Sequence, residues 1–114
     1  MNQINVHDKA HELARAVKAS YQYTTLVQMK AQVDEVPELA AMLKDFNEKN
    51  TALQAEAMMT GKMNEEALEE VKKLYAIVMA NPLANMYLQS ELAFSQLIND
   101  IGAILGEVIN SVQK

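Results

Sequence analysis

Apolar residues recur along the last third of the chain at the spacing of an α-helix. One stripe repeats every seven residues and comprises Tyr87, Phe94, Ile101 and Val108. A second stripe beside it comprises Ile98, Leu105 and Val112. Such repeats place apolar side chains on one side of a long helix. Asn81 and Pro82 are typical of a helix cap and a first helical position. The pattern therefore predicts an unbroken helix over residues 82–112.

The same three- and four-residue spacing predicts four earlier helices, over residues 5–19, 21–35, 37–59 and 65–79. In the first of them, Val6, Ala10, Leu13 and Val17 fall on one face. Pro37 restricts Val36 and favours a new helix start, and Gly61 is a typical helix stop. No segment alternates like a strand. We predict an all-α helical bundle of about five helices, forming a single domain over residues 1–114.

The last helix is too long and too apolar for a domain of this size. Thirty-one residues would span about 45–50 Å, whereas a compact domain of this length is about 35 Å across. An exposed apolar end favours aggregation unless another subunit covers it. We expect the helix to be used in oligomerisation, with Glu91 as an orienting polar contact. The expected apolar interface residues are Tyr87, Phe94, Leu97, Ile101, Ile104, Leu105 and Val108.

Composition and charge narrow the class of protein. Half of the residues are hydrophobic, and only 3 are Gly and 2 Pro, which is typical of helical proteins. Ten basic and fifteen acidic residues give a net charge of -5, and the basic residues are dispersed. Direct binding of nucleic acid, which needs a positive patch, is therefore not expected. No run of about 18 to 20 apolar residues and no signal-peptide pattern is seen, so we expect a cytoplasmic protein without membrane insertion.

Candidate chemistry is sparse. The chain has no Cys, which excludes disulfides and thiolate metal sites. His7 and His11 lie four residues apart and could face one metal ion, but a zinc site needs more ligands. The alternative interpretation is that His7 and His11 are exposed polar residues of a helix and bind no metal. Glu91 lies on an apolar stripe and indicates a paired or interfacial carboxylate, with a catalytic carboxylate as the weaker alternative. No phosphate-binding loop, nucleophile elbow or zinc-protease motif occurs, so we expect no enzyme and no cofactor.

Two segments resemble a known protein family. INVHDKAHELARAVKASYQY fits the pattern xDxAxELAxAxKxSxxY, and NPLANMYLQSELAFSQLINDI fits NPxxxxYLxxExxFxxLxxDI. Together they resemble the bacterial YlbF/YmcA family, and more closely its YheA-like branch. The resemblance implies a small all-α protein that forms dimers or larger assemblies. It also implies an adaptor that acts in a protein complex, linked in related branches to competence, sporulation, biofilm formation and mRNA processing. The iron–sulfur clusters associated with those branches are held by cysteines, which this chain lacks.

The sequence thus predicts a non-enzymatic cytoplasmic helical protein that self-associates and acts as an adaptor or regulatory protein-interaction module. Its expected partners are itself and other proteins, with family members and RNA-decay components as candidates. The alternative is a metal- or small-molecule-binding helical bundle that uses His7 and His11.

Overall fold

A computed structural model describes residues 4–113, and five α-helices account for most of that range. They are α1 (Val6–Lys18), α2 (Tyr21–Asp34), α3 (Pro37–Thr60), α4 (Glu65–Ala80) and α5 (Pro82–Gln113). No strand occurs among these described residues. The prediction of an all-α fold with about five helices and a long C-terminal helix is confirmed.

Local side chains begin and end the helices. The side-chain oxygens of Asn5, Asn64 and Asn81 accept hydrogen bonds from backbone N–H groups three residues later, at 3.1–3.2 Å. These bonds satisfy donors that have no partner inside the helix. Pro37 occupies the first turn of α3, and Gly61 ends that helix with a φ of 73°, a conformation that costs glycine little. The helix boundaries therefore follow from short sequence signals.

The chain divides into two compact units. The first unit comprises the N-terminal residues up to Gln28 together with the residues from Gln89 onward. The second unit comprises Met29–Leu88. Both α2 and α5 contribute to each unit. The prediction of one domain over residues 1–114 stays a prediction, and residues 1–3 and 114 lie outside the described range.

The second unit contains most of the core. Its α3 and α4 pack against each other as an antiparallel pair joined through the turn at Gly61. The rings of Phe46 and Tyr75 meet across that pair with centroids 5.8 Å apart. The buried apolar residues of this unit are Met29, Val33, Leu39, Leu43, Phe46, Leu53, Val71, Val78, Ala84 and Tyr87. Burial of this set supplies the apolar stabilisation of the unit.

An ion-pair network links α3 to α4 at the surface. Lys49 Nζ lies 2.6 Å from a carboxylate oxygen of Glu70 on α4 and 3.4 Å from one of Asp45 on its own helix. The hydrogen bond to Glu70, and secondarily Asp45, raises the pKa of Lys49 above its ordinary value. The side chains are about half exposed, so solvent screens the network and its contribution to stability is small.

The first unit is more open. The rings of Tyr23 on α2 and Phe94 on α5 meet with centroids 6.0 Å apart. No residue of α1 is buried, and Val17 is its one half-buried residue. Packing within this unit therefore leaves α1 and much of α5 in contact with solvent.

Replacing Leu53 by Ala should lower the free energy of unfolding by about 2–4 kcal/mol, because Leu53 is only 3% exposed and its removal leaves a cavity in the core. Met58→Ala on the same helix is the matched control, since Met58 is 87% exposed. Urea denaturation followed by circular dichroism measures both variants. Equal effects of the two substitutions would contradict the core described above.

Lys49→Gln should lower the unfolding free energy slightly, whereas Lys44→Gln on the same helix should not, since Lys44 forms no ion pair with any residue from 4 to 113. A folded-state pKa raised above the unfolded value means that the stabilisation is complete at neutral pH and is lost as pH rises through the folded-state pKa. Thermal unfolding of both variants from neutral to strongly alkaline pH, at low and high salt, measures this. A difference that grows with pH, or that is insensitive to salt, would argue against the ion pair.

Candidate functional site

The C-terminal half of α5 presents an apolar surface to solvent. Six of its large aliphatic side chains are between 43% and 81% exposed. We call this set the C-terminal apolar face, and it comprises Ile98, Ile104, Leu105, Val108, Ile109 and Val112. Leu97 and Ile101 lie among them and are half-buried. Monomeric proteins rarely leave so many neighbouring aliphatic residues uncovered, so this face is the leading candidate for an interaction site.

Charge on this part of α5 is confined to the opposite side of the helix. Between Leu97 and Gln113 the charged residues are Asp100 and Glu107. They lie seven residues apart, and at about 100° per residue they fall about 120–140° from the centre of the apolar face. Both are exposed, and neither forms an ion pair with another described residue. The apolar face can thus be covered without burying a charge.

The predicted interface residues divide between the interior and the surface. Tyr87 is 9% exposed, and the ring of Phe94 contacts Tyr23 of the same chain. Glu91 is half-buried and already interacts with other groups. Ile104, Leu105 and Val108 lie in the C-terminal apolar face. The N-terminal half of the predicted stripe therefore contacts its own chain, while the C-terminal half is open to solvent.

Sequence reasoning did not assign Ile109 to the interface, although it is 60% exposed there. The sequence feature that could have identified Ile109 is its position four residues after Leu105, which places both residues on the same side of the helix. Ile98 and Val112 were visible as the second apolar stripe but were not among the predicted interface residues.

Length and composition alone would also allow α5 to cross a membrane. Among residues 4–113, α5 is the helix that is long enough and apolar enough to do so. Its mean hydropathy is 1.4 over an 18-residue window in which no residue is buried. Helices that bury an apolar face against protein meet the same criteria. The expectation that the chain inserts into no membrane stays a prediction.

A second uncovered apolar surface lies on α1. Val6 is 73% exposed and Leu13 is 40% exposed. Together with Ala10 and Val17 they define the α1 apolar face. Along one flank runs what we call the α1 basic stripe, which comprises His7, His11, Arg15 and Lys18. These residues follow at intervals of three or four and so share one side of the helix.

The structure gives His7 and His11 no nearby third ligand. Both are exposed on consecutive turns of α1. Within the described range no group of three or more His, Cys, Asp or Glu residues could hold a metal ion. Zinc sites use at least three protein ligands, so any metal held by this pair would need ligands from another molecule.

A shallow cleft of about 350 Å³ lies in the second unit. Val33, Leu43 and Tyr87 form its apolar floor, and its rim carries charged residues of α2 and α3. Lys30 and Asp34 on that rim form an ion pair at 2.7 Å. The cleft has the volume of a small-ligand site, but the lining brings together no nucleophile with a base.

Comparison with known proteins identifies the relatives of this chain. Residues 6–110 match the family described as "Control of competence regulator ComK, YlbF/YmcA". A UPF0342 protein of Symbiobacterium thermophilum is 29% identical over 92% of this chain and 94% of its own length. A UPF0342 protein of Streptococcus mutans is 31% identical over 97% of this chain and 98% of its own length.

A solved structure has the same fold. It is a "Protein of Unknown Function (DUF964) from Bacillus stearothermophilus", which superposes with a TM-score of 0.79 over 96% of both chains at 17% sequence identity. The names of these relatives describe uncharacterised or regulatory proteins, with no stated catalytic activity. The family match spans nearly the whole chain and includes the motif positions of both segments that suggested it, so this protein belongs to the YlbF/YmcA family.

Proposed function

We propose that this protein is a non-enzymatic cytoplasmic adaptor that self-associates through the C-terminal apolar face of α5. The observation that carries the proposal is the exposure of that face: Ile104, Leu105 and Val108 are 58–65% exposed in the single chain. Water around aliphatic side chains raises the free energy of the isolated chain, and a partner that covers them lowers it.

The size of the face supports a protein partner. Its six side chains expose on the order of 500 Å² of apolar surface, which is at the upper end for the largest patch on a monomer. A stable protein–protein interface buries about 800 Å² on each partner. The C-terminal apolar face would therefore form the apolar centre of such an interface, with neighbouring surface as its rim.

Symmetry favours a second copy of the chain as the partner. Closed two-fold assemblies are the commonest arrangement of soluble proteins, and they cover the same surface on both subunits at once. Asp100 and Glu107 lie away from the apolar face, so association would not place these two carboxylates in an apolar interior.

The adaptor role rests on the family. Its description refers to control of a competence regulator, which is a function exerted through other proteins. Family members and RNA-decay components are the partners we propose to look for first. The iron–sulfur clusters of related branches are held by cysteines. This chain has no cysteine, so such a cluster is not part of the proposal. The assignment to the YheA-like branch and the use of Glu91 as an orienting contact remain predictions.

Leu105→Asp should dissociate the assembly, because an unpaired carboxylate would be buried in the interface at a cost of about 3–5 kcal/mol. Asn110→Asp is the matched control, since it adds the same charge to the exposed polar side of the same helix. Size-exclusion chromatography with light scattering at micromolar concentration measures the mass, and circular dichroism confirms that both variants are helical. A wild-type protein that is strictly monomeric would refute self-association.

A further inference from the structure

We propose that Met58 and Met59, near the end of α3, form a reversible oxidation site, at which a peroxide converts exposed thioethers into sulfoxides while the chain stays folded. We call this pair the methionine tip. The proposal is independent of the proposed self-association. Three features carry it: the exposure of the tip, the absence of cysteine from the sequence, and a turn whose hydrogen bonds use neither methionine.

The first feature is the exposure of the methionine tip. Met58 and Met59 are each 87% exposed, more than any other methionine that the structure describes. For comparison, Met86 is 54% exposed, Met63 is 45% exposed and Met29 is 9% exposed. Oxidation transfers an oxygen atom to a lone pair of the sulfur, so the peroxide must reach that atom. The tip therefore holds the sulfur atoms with which a peroxide in solution reacts first.

The second feature is the kind of sulfur that this chain contains. The sequence has 8 Met and 0 Cys. In other proteins an exposed thiolate competes for peroxide and can go on to form a disulfide. Without cysteine, the thioethers are the sulfur groups that a mild oxidant can modify. Oxidation of this chain by a peroxide is therefore directed to its methionines.

The reaction needs only the peroxide as a co-reactant. A lone pair on the thioether sulfur attacks one peroxide oxygen, so that an S–O bond forms as the O–O bond breaks. The sulfur is oxidised by two electrons, and hydrogen peroxide is reduced to water once a proton has moved to the departing oxygen. A methionine sulfoxide reductase reverses the change: the sulfoxide oxygen leaves as water, and two thiols are oxidised to a disulfide.

The third feature is that the turn after α3 is held together without the tip. The N–H of Gly61 donates to the carbonyl oxygen of Ala57 at 2.8 Å. The Thr60 hydroxyl donates to the carbonyl oxygen of Glu56 at 2.8 Å and accepts from the N–H of Lys62 at 3.3 Å. A sulfoxide disrupts a packed core because it is polar, but an exposed one is hydrated. Oxidation should thus leave the end of α3 and its turn in place.

Oxidation would change the polarity of one surface of the folded protein. A methionine side chain is apolar and flexible, whereas its sulfoxide is polar. The tip lies where the chain leaves α3 and turns towards α4, so both changes occur at the same end of this helix pair. The C-terminal apolar face contains no methionine, so oxidation would not alter the side chains proposed to mediate self-association.

Peptide mapping by mass spectrometry after brief exposure to hydrogen peroxide tests the selectivity. Met58 and Met59 should be oxidised about tenfold faster than Met29, whose sulfur reacts mainly when the chain opens locally. Fragment spectra distinguish the two adjacent residues. The same measurement in urea is the control, because unfolding exposes every methionine and should make the rates similar. Similar rates in the folded protein would overturn the proposal, and so would a tenfold difference that persists in urea.

Glutamine substitution tests whether the fold tolerates a polar tip. Met58→Gln with Met59→Gln imitates the polarity of the two sulfoxides and should leave the midpoint of urea denaturation unchanged. Met29→Gln is the matched control: it places an amide in the core and should lower the midpoint. Circular dichroism follows both transitions. A midpoint lowered as much by the tip variant as by Met29→Gln would mean that the tip is packed, contrary to the proposal.

Reversibility is measured on the oxidised wild-type protein. The two methionine sulfoxide reductases, each specific for one sulfoxide epimer, are added together with dithiothreitol. Peptide mapping should then show thioethers again at Met58 and Met59. Sulfoxides that persist at the tip, while free methionine sulfoxide in the same mixture is reduced, would refute a reversible site.

The outcomes also separate this inference from the proposed function. A strictly monomeric wild-type protein would refute self-association and leave the oxidation site standing. If the protein assembles and Met58 and Met59 react as slowly as Met29, the oxidation site is refuted and self-association stands.

Discussion

The apolar side of α5 imposes the main constraint on this protein, because one small chain does not cover all of it. The N-terminal half of the helix contributes Ala84 and Tyr87 to the buried core and Phe94 to a ring contact with α2. The remaining turns continue the same heptad pattern with Ile104 and Val108 in solvent. Leaving these side chains in water costs free energy, and this cost is the physical basis of the proposed association.

Short local sequence signals determine where the helices begin and end. Asparagine caps begin α1, α4 and α5, while Gly61 allows the α3–α4 pair to reverse direction. The core of the second unit is then built from apolar residues of α2, α3, α4 and the start of α5, with Phe46 and Tyr75 in contact across the α3–α4 pair. The first unit carries the exposed apolar surfaces of α1 and α5.

One titratable group among the described residues has a pKa that clearly departs from its ordinary value. Lys49 is the residue whose pKa is clearly shifted, and an exposed ion pair explains that shift. The two histidines lie on an exposed helix without a third ligand nearby. The chain belongs to a family described by control of a regulator, and such control can be exerted by binding.

The sequence by itself determined the all-α fold, the five helices and the unbroken length of α5, because caps, glycine and hydrophobic spacing act within a few residues. Its two quoted motifs also indicated the correct family. It did not determine which apolar residues are covered: Tyr87 and Val108 occupy equivalent positions of one stripe, yet Tyr87 is buried and Val108 is 65% exposed. Periodicity defines a face of a helix, but burial depends on where the other helices end, and only the tertiary structure decides that.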